Sequence, residues 1–517
     1  MEISRGFLLF CCRAGLGEAV ILYKITRIWY DKNTVKRLTT DHGKIRDKGG
    51  TRMLIGGLDI GTSGCKITVY NEKGDFIEKQ YREYASKHAQ DVHEIDAEAI
   101  YQAVGDVISS TVQKPEVLGV TSFGETFVLV DENDRVLCDS MLYTDPRGDA
   151  ECAVFDSQMV KKITYCAPHG MYSLPKLVWI RKNRPDLYER TKHIFLIQDY
   201  ILYMLTGNAC IDYSLAARTM GLDIRRKVWS EEIFAAAGID PAKMSKPVES
   251  GAVVGTSCAF GLPNARIIAG GHDQVASAIG AGALENGTAV DGSGSVECIT
   301  PVFSRLPESE EICDSGYAFV PFPGDQYVCY AFSFTGGTAL KWYRDQFAPE
   351  SSYRELDAGI RPDPSGILTV PHFAGAATPY MDAGARAVFA GITLETTPAD
   401  LYRSIMEGVA YEMKVNLERL STYGICPNML FATGGGAKSQ VWLQMKADIL
   451  GLPITAIDAP EVGTLGTVML AAVAVGMVSD LQGAKALFVK EGKTFYPDSG
   501  KGDAYRELYE KYVQIYT

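Results

Sequence analysis

Two glycine-rich turns, each set between short runs of β-forming residues, constrain this chain more than any other feature. Leu54 to Leu58 is apolar, Asp59-Ile60-Gly61-Thr62-Ser63-Gly64 turns, and Lys66 to Tyr70 resumes strand-like sequence before Asn71 to Gly74 turns again. A comparable unit returns at Thr288 to Val302, where Ala289-Val290-Asp291 leads into Gly292-Ser293-Gly294-Ser295. Two such hairpins far apart in one chain predict an internal duplication. A chain of 517 residues also exceeds what a single core organises. The expectation is two mixed α/β domains, residues 53–286 and 287–490, facing a cleft, followed by a helical tail at 491–517.

The intervening sequence supplies the other layers of an α/β protein. Helical stretches are predicted over Pro175 to Arg181 and Asp199 to Leu205, and Ala265 to Ala269 reads as a strand running into Gly270-Gly271-His272-Asp273. The clearest helix is Pro398 to Tyr423, with Leu401, Ile405, Val409, Met413, Leu417 and Leu420 along one face. Thr397 is placed to cap it, Pro398 suits its first turn and Gly424 ends it. Strand Met429 to Ala432, the turn Gly434-Gly435-Gly436 and helix Val441 to Leu450 follow.

A net charge of −12 argues against general affinity for nucleic acid or anionic membrane, which would need a concentrated basic face. Twelve cysteines occur without a C-x-x-C pair, so they read as reduced thiols of a cytoplasmic protein. The longest apolar stretch, Thr467 to Val478, is too short to span a bilayer. The first 52 residues differ from the rest: Thr34 to Arg52 is polar and without apolar period, and Phe7 to Cys12 is too brief for a secretory signal. This segment is expected to be a disordered leader or untranslated sequence. Lys48-Gly49-Gly50 can be encoded by a purine-rich ribosome-binding sequence just ahead of the Met53 codon.

Phosphoryl transfer from ATP needs backbone N–H groups around the phosphates, a carboxylate for Mg²⁺ and a base near the acceptor hydroxyl. Gly61, Gly64, Gly292 and Gly294 let main chain approach anionic oxygens, Thr62, Ser63 and Ser293 add hydroxyls, Lys66 adds charge and Asp59 would face the metal. The plainer reading is that both are ordinary hairpin turns. An aspartic-protease reading fails, because Asp59-Ile60-Gly61 breaks the Asp-Thr/Ser-Gly pattern. Asp273 emerges at a strand end, where α/β enzymes keep their chemistry, although it could instead cap the helix that follows. His272 reads as a packed core or turn histidine.

On these residues the chain resembles the FGGY family of carbohydrate kinases, as a xylulokinase- or fuculokinase-like member. Met171 to Asn183 (MYSLPKLVWIRKN) fits the family's first signature, and Ala387-Val-Phe389-Ala-Gly391-Ile392, running on to Asp400-Leu401 and Ser404 to Glu407, fits the second. The resemblance covers about Met53 to Asp480. It implies an α/β, two-domain actin-like (ribonuclease H-like) ATPase fold with a cleft between duplicated domains, and transfer of the γ-phosphoryl of ATP to a sugar hydroxyl. By the same resemblance Asp59, Thr62, Ser63 and Lys66 belong to the first phosphate hairpin, and Gly292, Ser293 and Gly294 to the second. Asp273 matches the catalytic base, Gly435, Gly436, Ser439 and Gln440 the adenosine turn, and Gly337 a nucleotide contact.

On the acceptor side, Glu125, Asp145 and Arg147 match sugar-contacting positions of the family, with Asp273 facing the same hydroxyls. A glycerol kinase should carry arginine before Glu125, where this chain has Gly124, and xylulokinases usually show Met-His there. The expected substrate is therefore a ketose of five or six carbons rather than glycerol, with ATP and Mg²⁺ as cofactors. No nucleic acid or membrane partner is expected, and a homodimer is left open. Two rivals stand beside this reading: a non-metabolic actin-like ATPase, which would lack the sugar segment, and a sugar-binding regulator, which would add a helix-turn-helix and lose Asp273.

Overall fold

The first glycine-rich turn joins two antiparallel strands, β1 (Leu54–Ile60) and β2 (Gly64–Asn71), which meet at the Ile60–Cys65 pair. The computed structural model describes residues 53–89 and 92–515, so the leader expected over residues 1–52 lies outside the described residues. From Met53 onward the chain is a single contact unit built around two sheets.

In the first sheet β3 (Phe76–Glu83) follows β2, and β4 (Val117–Ser122) lies parallel to β1 on its other side. Two helices that matter for the site come next, α1 (Ser173–Asn183) and α2 (Tyr213–Ala217). An antiparallel edge strand β5 (Val253–Ser257) then leads to β6 (Ala265–His272), parallel to β4, and to α3 (Asp273–Gly280). The order is β5-β6-β4-β1-β2-β3. Every residue of β4 is buried, as expected for a parallel strand covered on both faces.

The second sheet repeats the plan. β7 (Thr288–Ser293) and β8 (Glu297–Phe303) form the second glycine-rich hairpin, and β9 (Phe319–Phe322), β10 (Gln326–Cys329) and β11 (Ala331–Ser333) extend its antiparallel side. After α4 (Gly337–Phe347) and α5 (Pro398–Ser421), strand β12 (Met429–Gly434) pairs parallel to β7. Helix α6 (Gln440–Leu450) and strand β13 (Ile454–Ile457), parallel to β12, follow. Helix α7 (Val462–Ala474), edge strand β14 (Glu491–Phe495) and α8 (Ser499–Gln514) complete the chain. Each sheet thus carries a hairpin whose first strand is followed, on the side away from its partner, by two successive parallel strands, so the short sequence repeat marks a duplicated topology.

Helix α5 starts on a capping box in which Thr397 and Asp400 bond each other's backbone, and the chain leaves it through Gly424 at φ +79°. Helix α7 holds most of the apolar run that was too short for a membrane, and it packs with α3 between the two sheets. Glycines permit that layer: a Cβ on Gly57 would lie 2.2 Å from the Thr464 carbonyl oxygen, and one on Gly466 would lie 1.8 Å from that of Ala276. No helix among the described residues is long and apolar enough to cross a membrane.

Candidate active site

Three parallel strands of the first sheet end side by side, because Ile60 of β1 pairs with Ser122 of β4 and Ser122 with His272 of β6. Asp59, Glu125 and Asp273 therefore issue from neighbouring carboxyl ends of one sheet, where open α/β sheets bind their ligands.

Asp273 is the first residue of α3; its side chain is 30% exposed overall, but its Oδ1 is buried, 3.3 Å from His272 Nε2 and without a hydrogen bond. The N-cap position belongs to His272, so Asp273 is not merely a helix cap. Burial, followed by the negative charges of Asp59 and Glu125, pushes the Asp273 carboxyl up to about 7. Its proton affinity is that of a base working near neutral pH. His272 is buried and bonded through Nδ1 to the Tyr330 hydroxyl at 2.8 Å, and its backbone N–H donates to Ser214 Oγ at 2.9 Å. Burial, then Arg218, holds the imidazole well below its usual range, so it is the neutral, packed histidine read from the sequence.

Glu125 is buried with φ at +63°, a strained conformation for a residue with a side chain. Its carbonyl accepts from Ser173 Oγ at 2.6 Å, which ties it to the start of α1, the helix of the first signature. Its carboxylate pairs with Arg218, which follows α2. The Arg218 guanidinium lies over the rings of Tyr172 and Tyr330, at 5.1 Å and 5.5 Å from their centroids.

Asp145 is buried. Its Oδ1 accepts from the Arg147 backbone N–H at 3.0 Å and Nε at 2.8 Å, and its Oδ2 from His93 N–H at 2.8 Å and Arg147 Nη2 at 2.7 Å. Three of these four bonds hold Arg147 to the carboxylate. Arg147 in turn bonds Glu94 at 2.6 Å and lies over Trp179.

On the phosphate side, the Gly61 N–H donates to the Gly64 carbonyl at 2.9 Å and closes the first turn. Thr62 is half-buried and Ser63 exposed, and their hydroxyls bond no other described residue. The Lys66 ammonium is paired within the protein. It lies 3.2 Å from Asp59 and 2.8 Å from Glu461, so two carboxylates already counter it. Burial raises the Asp59 carboxyl while Lys66 opposes that rise. The first turn of α7 abuts Asp59, since a Cβ on Gly463 would lie 2.8 Å from its Oδ2. No cluster of three or more His, Cys, Asp or Glu side chains among the described residues could hold a metal by itself. Asp59 nonetheless fits Mg²⁺, which is commonly held by one or two carboxylates together with waters and substrate phosphates.

In the second hairpin Gly294 N–H donates to Val296 at 3.0 Å, and Gly337 N–H donates to the Gly294 carbonyl at 2.9 Å, seating the start of α4 on the tip. The Ser293 side chain is buried. Its Oγ points inward, donating to Glu297 at 2.9 Å and accepting from Lys446, which also bonds Asp291 at 2.8 Å. Ser293, Asp291, Glu297 and Lys446 are all buried. Only the Gly292 to Gly294 backbone remains to approach an anion.

Between this hairpin and α6 opens a cavity of about 820 Å³, lined by the expected Gly294, Gly337, Gly435, Gly436, Ser439 and Gln440. Tyr353, Tyr402, Met406 and Trp442 add apolar surface. The size and lining suit a nucleotide. Gly434, at φ +84°, lets the turn press on the hairpin, for its Cβ would lie 2.5 Å from the Ser293 carbonyl oxygen. Sequence reasoning missed Arg218, Tyr330, Glu461 and Lys446. None belongs to a local motif, and each reaches the site from a distant segment.

Comparison with known proteins bears on the fold and the family. Residues 54–280 match the N-terminal domain of the FGGY family of carbohydrate kinases and residues 310–475 its C-terminal domain. A xylulose kinase of Bacillus subtilis is 28% identical over 483 residues, 89% of this chain and 96% of that protein. A gluconokinase of Bacillus licheniformis is 28% identical over 465 residues, 83% and 90% of the two chains. The crystal structure of ligand-bound xylulose kinase from Lactobacillus acidophilus has a TM-score of 0.83 at 22% identity, covering 90% of this chain and 97% of that one. Matching both domains in order over most of its length, the chain belongs to the FGGY family of carbohydrate kinases.

Proposed function

We propose that this carbohydrate kinase acts in the cytoplasm and moves the γ-phosphoryl group of ATP to a hydroxyl of a ketose of five or six carbons, with Asp273 as general base. Residues 53–286 carry the acceptor side and 287–490 the nucleotide side. The observation that carries the reading is Asp273: a carboxylate with proton affinity near neutrality, at the mouth of α3, between the Glu125–Arg218 pair and Asp59. A sugar hydroxyl is a poor nucleophile, and a carboxylate that accepts its proton as the new oxygen–phosphorus bond forms lowers that barrier. Asp59 would hold Mg²⁺, with Lys66 and the first turn of α7 fixing its carboxylate. Bound there, the metal neutralises charge on the transferring phosphate. The backbone of both hairpins orients the phosphates, and the cavity beside Trp442 takes the adenosine.

Gly124 alone is not an argument against glycerol, because Arg218 supplies a guanidinium beside Glu125 from another segment. The ketose reading rests instead on the family resemblance and on the similarity to proteins named xylulose kinase. A coupled ADP-release assay with pentuloses, hexuloses, glycerol and gluconate tests it. A ketulose is expected to give the highest kcat/KM, and glycerol exceeding every ketulose would refute it.

A further inference from the structure

Tyr84, the residue that leaves β3, holds the first glycine-rich turn at two points. Its backbone N–H donates to the Ser63 carbonyl at 3.2 Å, and its hydroxyl donates to the Gly61 carbonyl. Both bonds continue the β2–β3 ladder, whose last pair is Gly64 with Glu83, onto the tip that joins β1 to β2. The half-buried ring packs on the core cluster that includes Ile60 and Cys65. Burial, then Cys65 and Asp59, raises the phenol above its usual range, so the hydroxyl keeps its proton and remains a donor. A peptide group is planar and trans, and its carbonyl and N–H point to opposite sides. Fixing the Gly61 carbonyl on Tyr84 therefore turns the Thr62 N–H away from Tyr84, and that N–H donates to no described residue. Strand β3 abuts the turn closely: a Cβ on Gly64 would lie 2.6 Å from the Tyr81 hydroxyl oxygen and 2.7 Å from the Arg82 carbonyl oxygen.

We propose that Tyr84 is a positioning residue for phosphoryl transfer, its hydroxyl clamping the Gly61 carbonyl so that the Thr62 N–H is aimed at the terminal phosphates of ATP. The first turn belongs to that end of the nucleotide. The cavity that suits the nucleotide is lined by the second hairpin and α6 and by no residue of the first turn. The first turn instead follows Asp59 on the sheet end that carries Asp273. An amide aimed before the ligand arrives stabilises an anion without the cost of ordering a loop at that moment. Tyr84 thus acts through the turn, without touching the phosphate itself. This rests on the reading that the phosphates of ATP lie on the two hairpins.

The test compares the full-length wild-type protein with three variants. Tyr84→Phe keeps the ring and its packing but loses the clamp, and Thr62→Pro removes the aimed N–H itself. Tyr81→Phe is the control, because the Tyr81 hydroxyl bonds no described residue of the same region. Calorimetry gives the Kd of ATP and of AMP, which lacks the β- and γ-phosphates, in the presence of Mg²⁺. In Tyr84→Phe and in Thr62→Pro the Kd of ATP is expected to rise about three- to tenfold, the scale of one hydrogen bond, with that of AMP within about twofold of wild type. Tyr81→Phe is expected to match the wild type for both. A merely structural role would weaken AMP and ATP together. An ATP Kd within twofold of wild type in Tyr84→Phe or in Thr62→Pro, an equal loss for AMP, or the same loss in Tyr81→Phe would overturn the proposal. Wild-type protein that binds ATP no more tightly than AMP would overturn the phosphate reading of the hairpins, and the proposal with it.

Discussion

The buried polar cluster behind the second hairpin shows how single residues set the nucleotide side. Lys446 on α6 reaches under the turn to Asp291, Glu297 and Ser293, and its ammonium also lies 4.6 Å from the Trp442 ring centroid. Burial, opposed by Lys446, holds the Glu297 carboxyl well above its usual range. Removing one member of a buried ion pair typically costs about 3–5 kcal/mol, because the other charge is left unpaired. Lys446→Met is therefore expected to lower the urea midpoint sharply, and Ser293→Ala by less, about 1–3 kcal/mol. Equal midpoints for wild type and Lys446→Met would disprove the pairing. These residues also mark where sequence reading stops. Asp59 and Asp291 precede similar glycine-rich turns, but only the folded chain reveals that one pairs with the nearby Lys66 and the other is sealed beneath a lysine far along the chain. In the same way Asp145 and Ser293 fit a motif, whereas their acceptor and donor capacity is taken up by neighbours that spacing cannot predict.

At the scale of elements, the layer of α3 and α7 is the feature that fixes both sheets. Its helices approach so closely that Cβ atoms on Gly280 and Gly466 would sit 1.9 Å and 1.8 Å from backbone oxygens of the facing helix. Backbone cannot yield as a flexible side chain does, so Gly466→Ala is expected to destabilise by about 1–3 kcal/mol. Gly502, within α8, has open space around it, and Gly502→Ala is expected to stabilise by about 0.5–1 kcal/mol through helix propensity. Thermal or urea unfolding of the two variants checks the contrast, and shifts of the same sign would contradict it. Helix α5 was legible in sequence because its apolar period, its Thr397 cap and Gly424 all agree. The placement of α7 was not, since its uniformly apolar run says that it is buried but not against what.

For the whole molecule, two duplicated sheets share one helical layer and meet again where Tyr330, from the second half, bonds His272 beside Asp273. Such an arrangement suits closure of the halves on sugar and nucleotide, which excludes water before transfer. Small-angle scattering is expected to show a smaller radius of gyration when the sugar and a non-hydrolysable ATP analogue are both bound than with either alone. An unchanged radius in the ternary complex would argue for a rigid cleft.

The central claim is that Asp273 takes the proton of the acceptor hydroxyl. Its carboxyl must be ionised to do so, and since burial and the neighbouring carboxylates push it up to about 7, the ionised fraction is expected to grow as pH rises towards that value. The direct measurement is the pH profile of kcat/KM for the preferred sugar, in wild type and in Asp273→Asn. Wild-type activity is expected to rise with pH and level off above about 7. Asp273→Asn should lower kcat by about 10²-fold or more, flatten that limb and leave the ATP KM nearly unchanged. Near-normal kcat with the same pH limb in Asp273→Asn would contradict the account.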